Sequence, residues 1–413
     1  MHILVVSQYF WPETFRVNEI VSELSARGHE VTVLTGRPNY PEGEVFPAYA
    51  KDAAAFDRYG DADVVRIPLR PRGRGSLNLV RNYWSFVFWG CMLGPWKLRT
   101  RHFDAIFVFE TSPITSALPA ILLKWIKRTS LSMWVLDLWP ETLAAVGVVR
   151  SPRVLHWVGR LCSFIYRHCD LILAPSLSFA APIAKWSRAP EKFRYFPAWA
   201  EATFDDIENA ACAPELQLHA GKFCILFAGN IGDAQDFPAI LEAADLTRQR
   251  KDIHWLIVGD GRAAAQVHQD IAAQQLTDTV YMLGRFPLGR MPSFFAGSHA
   301  LLVSLRDEPI FALTIPGKVQ SYLSARKPIL AMLNGEGARV VESAGAGLVC
   351  GAGDAQQLAR NACRLADLPS SERQAMGLRG ASYCIRHFSR SALMAQLEGW
   401  LNHRPGSAAR PSR

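Results

Sequence analysis

The chain is predicted to fold as two α/β domains in succession, each a doubly wound parallel sheet. Three observations predict this. Short apolar runs alternate with amphipathic helical stretches, the alternation starts afresh partway along the chain, and 413 residues exceed one ordinary core. In the first half "HILVVSQY" is a buried strand, "RVNEIVSELSARGHE" an amphipathic helix closed by Gly28, and "EVTVLTG" the next strand. "DAIFVFETS", the helix "ITSALPAILLKWIKR" and "LSMWVLDLWPE" repeat the pattern, as do "LILAPS" and its following helix. The second half runs through "KFCILFAGNIG", "PAILEAADLTRQ", "IHWLIVGDGR", "VYMLGRF", "ALLVSL", a helix around Lys318 and "KPILAML". The join falls in "YFPAWAEATFDD", so the domains are expected at 1–205 and 206–385, with a last helix over 386–403 and a polar, disordered tail over 404–413.

Composition narrows the partners. A net charge of +8 favours an anionic one, and nucleic acid is the least supported because no binding motif for it is present. The eight cysteines lie far apart, without metal-ligand spacing, and read as reduced residues of a cytosolic protein. "MHILVVSQYF" reads as a strand of the fold, having neither a basic flank nor a cleavage site. No apolar run reaches the roughly 20 residues that span a bilayer. The nearest, Tyr83–Trp96, is flanked by Arg70, Arg72, Arg74 and Arg81 and by Lys97, Arg99 and Arg101. It suits a buried helix or an interfacial segment on an anionic membrane surface equally well.

Lys318 poses a physical problem. Pro316 fits the first position of a helix, which places Lys318 in the first turn, against the positive end of the helix dipole. Either the side chain bends into water or an anion sits in front of it. Ligands of open α/β sheets bind beyond the carboxyl ends of the strands. There the second half places Gly229-Asn230-Ile231-Gly232, Gly259-Asp260-Gly261, Gly284-Arg285 and Asp307-Glu308. Single glycines after strands are ordinary turn residues. Four such ends in one sheet, a helix N-terminus and a lysine suit a nucleoside beside a diphosphate. There is no Walker lysine motif, "GDG" is not a dinucleotide fingerprint, and the Asp61/Asp63 pair reads as a turn rather than a metal site.

Along nearly its whole length the chain resembles the retaining family-4 glycosyltransferases of the GT-B fold, in particular bacterial transferases of the fucosamine-transferase type. The likeness rests on "QYFWPET", "ELSARGHEVTVLTGRPNYPEG", "VLDLWPET", "LFAGNIGDAQDF", "VGDG", "LGR" and "EPIFALTIPGKVQSYLSARKPIL". It implies two domains facing across a cleft, with a last helix crossing back to the first. It also implies a UDP-sugar bound on the second domain, with an N-acetylated deoxyhexosamine such as FucNAc as one candidate sugar. A polyprenyl-diphosphate-linked saccharide acceptor would bind on the first, in O-antigen or capsule assembly. The expected place is cytoplasmic, peripheral on the inner membrane, with no cofactor and no metal. Donor contacts are expected from Gly229, Asn230, Gly232, Gln235, Gly259, Gly261, Arg285, Glu308, Thr314 and Ser321, with Lys318 catalytic.

The chain departs from the family at three places. Thr14-Phe15-Arg16 replaces a glycine-rich turn. Leu313 and Ser321 stand at the spacing of two glutamates, with Glu308 too far upstream to match the first. Asn230 and Gln235 replace the usual arginine and lysine at the diphosphate, which leaves Lys318 more of the charge to carry.

On the first domain, Asp137 either caps a helix beside a packed tryptophan, or Asp137 or Glu141 binds acceptor hydroxyls or receives the acceptor proton, with Trp139 as a sugar platform. Glu13 and Arg16 belong to the same wall, or form a surface ion pair. Two other functions fit the donor residues: a sugar-nucleotide epimerase, and a non-catalytic sugar-nucleotide-binding component of a membrane assembly.

Overall fold

The computed structural model describes residues 1–402 other than 74, 146–148, 150, 205 and 206. Arg74 and the expected tail over 404–413 therefore lie outside the described residues. Two compact units form, Met1–Pro197 together with the segment from Ser391, and Ala198–Arg390.

The first unit is built on eight strands: β1 (His2–Val6), β2 (Glu30–Gly36), β3 (Arg58–Tyr59), β4 (Ala62–Ile67), β5 (Ala105–Glu110), β6 (Ser130–Val135), β7 (Leu171–Ala174) and β8 (Phe193–Tyr195). Their order is β3-β4-β2-β1-β5-β6-β7-β8, parallel except for the β3–β4 hairpin. Asp61 stands in that hairpin turn, and Asp63 in β4 pairs with Arg101 at 2.8 Å. The central strands are buried on both faces, so Ile3 sits in register between Val31 and Ala105 with no polar face to show.

Helix α1 (Arg16–Ala26) follows β1, while α2 (Ser76–Lys97), α3 (Leu118–Lys127), α4 (Pro152–His168) and α5 (Ala180–Ser187) link β4 through to β8. The crossovers β1→β2 and β4→β5→β6→β7 run in opposite directions along the sheet. Right-handed connections therefore set α2, α3 and α4 side by side on the face opposite α1. They pack in that order, and Gly90 lets α2 lie against Pro119, where a Cβ would come within 2.6 Å of the proline ring.

The second unit is an all-parallel sheet of β9 (Phe223–Ala228), β10 (Ile253–Val258), β11 (Val280–Gly284), β12 (Ala300–Ser304), β13 (Ile329–Met332) and β14 (Gly347–Cys350), in the order β11-β10-β9-β12-β13-β14. Alternate residues feed two cores. Leu226, Leu256 and Leu301 face one, and Phe227, Ile257 and Leu302 face the other. Its longer helices are α6 (Phe237–Leu246), α7 (Ala264–Ala273), α8 (Gly317–Ser324), α9 (Gly335–Ala344), α10 (Ala355–Asp367) and α11 (Ser370–His387).

The division falls at Pro197/Ala198, earlier than the 205/206 read from the sequence, because Ala200, Phe204 and Ile207 join the second unit's core. It falls again at Arg390/Ser391, where α12 (Arg390–Asn402) returns to the first unit. Glu398 on α12 meets Arg27 at 3.4 Å and His29 at 3.0 Å, and Trp400 packs edge-on to Phe196. His29, given no role from the sequence, thus anchors α12.

The loop after β1 depends on Glu13. Its carboxylate is only 2% exposed and accepts hydrogen bonds from the amides of Phe10 (3.0 Å), Asn39 (2.8 Å) and Tyr40 (2.7 Å). Burial raises its pKa, and those three donors pull it back. Glu13 is therefore a clamp between the loops after β1 and β2, which corrects both the expected acceptor contact and the ion pair with Arg16. Glu13→Ala leaves buried amides unpaired and should destabilise the chain by about 2–4 kcal/mol, measured by urea unfolding.

Candidate functional site

The donor residues expected from the sequence lie on a physically constrained piece of backbone in the second unit. After β9 the chain turns at Gly229 (φ 138°), and after β10 at Gly259 (φ 148°), a region that L side chains rarely adopt. A Cβ on Gly259 would run into the Gly229 carbonyl, and one on Gly261 into that of Ile231. The two loops touch backbone to backbone, joined by Gly229 N–H to Val258 O (2.8 Å) and Ile231 N–H to Asp260 O (2.9 Å). Beside them opens a pocket of about 460 Å³, lined on its polar side by Gly229, Asn230, Asp260, Gly261 and Arg285, and on its apolar side by Phe286, Leu288 and Met291. Its size and mixed lining suit one nucleoside.

Lys318 reaches the same loop from α8. Pro316 proves to be the residue before the helix, with ψ at 133°, and α8 starts at Gly317, so Lys318 is its second residue. The ammonium sits 3.6 Å from the centroid of the Phe227 ring, and a Cβ on Gly229 would come within 2.6 Å of Lys318 Cε. Burial pushes the Lys318 pKa down to about 7. A neighbouring anion would favour the charged form and raise it again.

The remaining donor candidates divide. Gln235 Oε1 accepts from the Gly232 amide at 3.1 Å and from Asn230 Nδ2 at 3.4 Å, so this polar pair shapes the β9 loop. Ser321 donates to Glu201 Oε2 at 2.6 Å. A carboxylate from the segment entering the second unit therefore reaches α8 at the position where α8 itself has none. Thr314 donates to Phe311 O at 3.0 Å, and Glu308 is exposed at the start of the short helix Pro309–Ala312. The structure does not place either in the pocket lined by Gly229 and Arg285.

In the first unit the polar groups gather at the carboxyl ends of β1, β5 and β6. Gln8 Nε2 donates to Asn82 Oδ1 at 2.7 Å, which ties the end of β1 to α2. Glu110, the last residue of β5, is 0% exposed; its Oε2 receives the Asp137 amide at 3.4 Å, and its Oε1 has no partner among the described residues. Burial first, and then the Asp137 charge, raise its pKa well above the ordinary value, against backbone donors that lower it. Asp137 caps no helix, since the next one begins at Glu141; its Oδ2 accepts from the Trp139 indole at 3.3 Å.

Trp139 is only 9% exposed and lies against Tyr83, making it a packed wall rather than an open sugar platform. Glu141 Oε1 accepts from the Trp186 indole at 3.1 Å, a bond within the fold, and Arg16 opens α1 at the same end of the sheet. Sequence reasoning missed Glu110 and Glu201. A carboxylate ending the otherwise apolar run "AIFVFE" was the signal for the first; nothing local marked the second.

Known proteins share this fold. Residues 14–199 match the family model described as a glycosyl transferase 4-like domain, and residues 222–367 match glycosyl transferases group 1. The probable glycosyltransferase WbjE of Pseudomonas aeruginosa is 29% identical over 235 residues, covering 55% of this chain and 58% of that protein. The putative colanic acid biosynthesis glycosyl transferase WcaI of Escherichia coli K12 is 28% identical over 284 residues, covering 65% of this chain and 68% of that protein. The chain thus spans little more than half the length of the first of these relatives. Among solved structures, HepE of Anabaena in complex with UDP and glucose superposes with a TM-score of 0.66 at 17% identity, over 97% of this chain and 99% of that one. The two parallel-sheet α/β units have the GT-B fold, with the first similar to a glycosyl transferase 4-like domain and the second to glycosyl transferases group 1.

Proposed function

We propose that the chain is a retaining glycosyltransferase of bacterial cell-surface polysaccharide assembly. It would move a sugar from a UDP-sugar to a hydroxyl of a polyprenyl-diphosphate-linked saccharide. The observation that carries this reading is the placement of Lys318 over Gly229 beside a nucleoside-sized pocket, with the amides opening α8 next to it. HepE, whose structure holds UDP and glucose, and the names of WbjE and WcaI support the donor class and the setting. FucNAc is one candidate for the sugar. The nucleoside fills the pocket, Glu201 offers the ribose the carboxylate that α8 lacks, and the diphosphate lies against Lys318 and the helix N-terminus.

The anomeric carbon–oxygen bond to the diphosphate breaks while the acceptor oxygen bonds to the same face of that carbon. The acceptor proton passes to the departing diphosphate. No protein nucleophile and no metal enters this scheme; the chain positions the reactants and stabilises the leaving charge. Asp137, with its backbone fixed by Glu110, orients the acceptor hydroxyl. A screen of UDP-sugars for UDP release with short lipid-diphosphate saccharides tests the whole reading. Release without acceptor would favour an epimerase, and donor binding without any release would favour a non-catalytic component.

Lys318→Ala should slow UDP release by the equivalent of about 2.7–4 kcal/mol, the loss of one preorganised charge on the leaving group, and a near wild-type rate would remove Lys318 from the site. Because its pKa is depressed to about 7, free Lys318 is largely neutral at pH 8. UDP binding there should take up close to one proton, and affinity should weaken as pH rises above 7. Calorimetry in buffers of different ionisation enthalpy checks this, and Lys318→Ala should abolish the uptake.

Asp137→Asn should impair transfer while leaving UDP affinity unchanged, because the donor residues all lie in the second unit. Calorimetry showing lost UDP affinity with normal acceptor use would refute that division.

A further inference from the structure

The three helices on one face of the first unit have an unusual outer surface. Not one aspartate or glutamate stands in α2, α3 or α4, while each carries lysine or arginine. On α2 the exposed positions Leu77, Trp84, Phe88, Met92 and Trp96 form one stripe at close to helical spacing. Its inner side is buried at Asn82, Phe86 and Gly90. The stripe does not end with that helix. Trp125 and Ile126 on α3 are 53% and 52% exposed, and Trp157 on α4 is 66% exposed. An aromatic chain runs from Trp125 through His168 (5.2 Å) to Phe164 (4.3 Å) and so joins α3 to α4. Arginines lie over exposed indoles, Arg99 on Trp96 at 5.1 Å and Arg160 on Trp157 at 5.3 Å.

We propose that the outer face of α2, α3 and α4 docks in the interface of an anionic lipid bilayer. Large amphipathic side chains interleaved with cations, with no carboxylate within the three helices and the adjoining Asp170 paired to Lys124 at 2.7 Å, match that boundary chemically. The docking is peripheral, since no described helix is long and apolar enough to cross a membrane. It would also have a use. Helix α2 presents Trp84 and Phe88 outward, while Asn82 and Tyr83 hold Gln8 and Trp139 at the polar end of the sheet. One helix therefore links the lipid-facing surface to the proposed acceptor residues. The inference deepens the proposed reading by giving the lipid-linked acceptor a surface on which to be met, but lipid binding is measured without sugar and can fail separately.

The test is co-sedimentation with phosphatidylcholine vesicles, with and without phosphatidylglycerol. Two variants are compared with wild type: Trp125→Ser with Trp157→Ser, and Arg153→Gln with Arg160→Gln. Wild type should bind the anionic vesicles, and its affinity should fall about tenfold or more on neutral vesicles or in high salt. The tryptophan variant should lose about tenfold or more. The arginine variant should show a shallower salt dependence, and it keeps the test open if the tryptophan variant melts early. UDP affinity of both should stay at the wild-type level, which separates lost docking from a failed donor site. Absence of binding to anionic vesicles overturns the proposal. So does wild-type binding by both variants, or a dimer in solution that the same substitutions dissociate without any vesicle binding.

Discussion

Contact between the Gly229 and Gly259 loops is the constraint on which the second unit's chemistry depends. Two strand ends of a parallel sheet approach until backbone meets backbone, which only residues without a Cβ permit. That contact fixes the floor of the pocket and leaves above Gly229 a space that Lys318 fills, its ammonium against the face of Phe227. A quadrupolar ring holds a cation there at less cost than a purely aliphatic floor would, yet it does not replace water. The lysine is therefore kept close to its point of neutrality, and small changes in nearby charge decide its state.

The first unit handles charge by the opposite means. Glu110 is removed from water altogether, and burial, with the nearby Asp137 charge second, raises its pKa well above the ordinary value. Glu13 is as deeply buried and stays within the fold because three amides satisfy it. Glu13 accepts three amide bonds of 2.7–3.0 Å, whereas Glu110 Oε2 accepts the Asp137 amide at 3.4 Å and its Oε1 has no partner among the described residues. The first is poised to interact further, and the second is fully engaged.

Much of this was legible in the sequence, for reasons that differ by residue. Apolar runs such as "KFCILFA" and "IHWLIV" can only be strands buried on both faces, so the two sheets followed from pattern alone. Glycines after such strands pointed to the pocket because backbone approach has a local signature. The roles of carboxylates did not. Glu13, Glu110 and Glu201 are distinguished by what comes near them from 26, 27 and 120 residues away. Trp139 looked like an open platform because nothing nearby in the chain reveals that Tyr83 covers it. The unit boundary was misplaced because Phe204, set in a loop-like stretch, packs into a core formed much later in the chain.

The return of α12 to the first unit has a consequence for the order in which the molecule can be made. The second unit is, in chain terms, an insertion: residues 198–390 lie between two parts of one body. Arg27 and His29 emerge early in synthesis, but Glu398 and Trp400 reach them only after the whole second unit has left the ribosome. Until then the end of α1 and the edge at Phe196 are exposed. Completion of the first body thus reports that the second has been made in full, and a ribosome stopping before residue 391 leaves the earlier body unfinished.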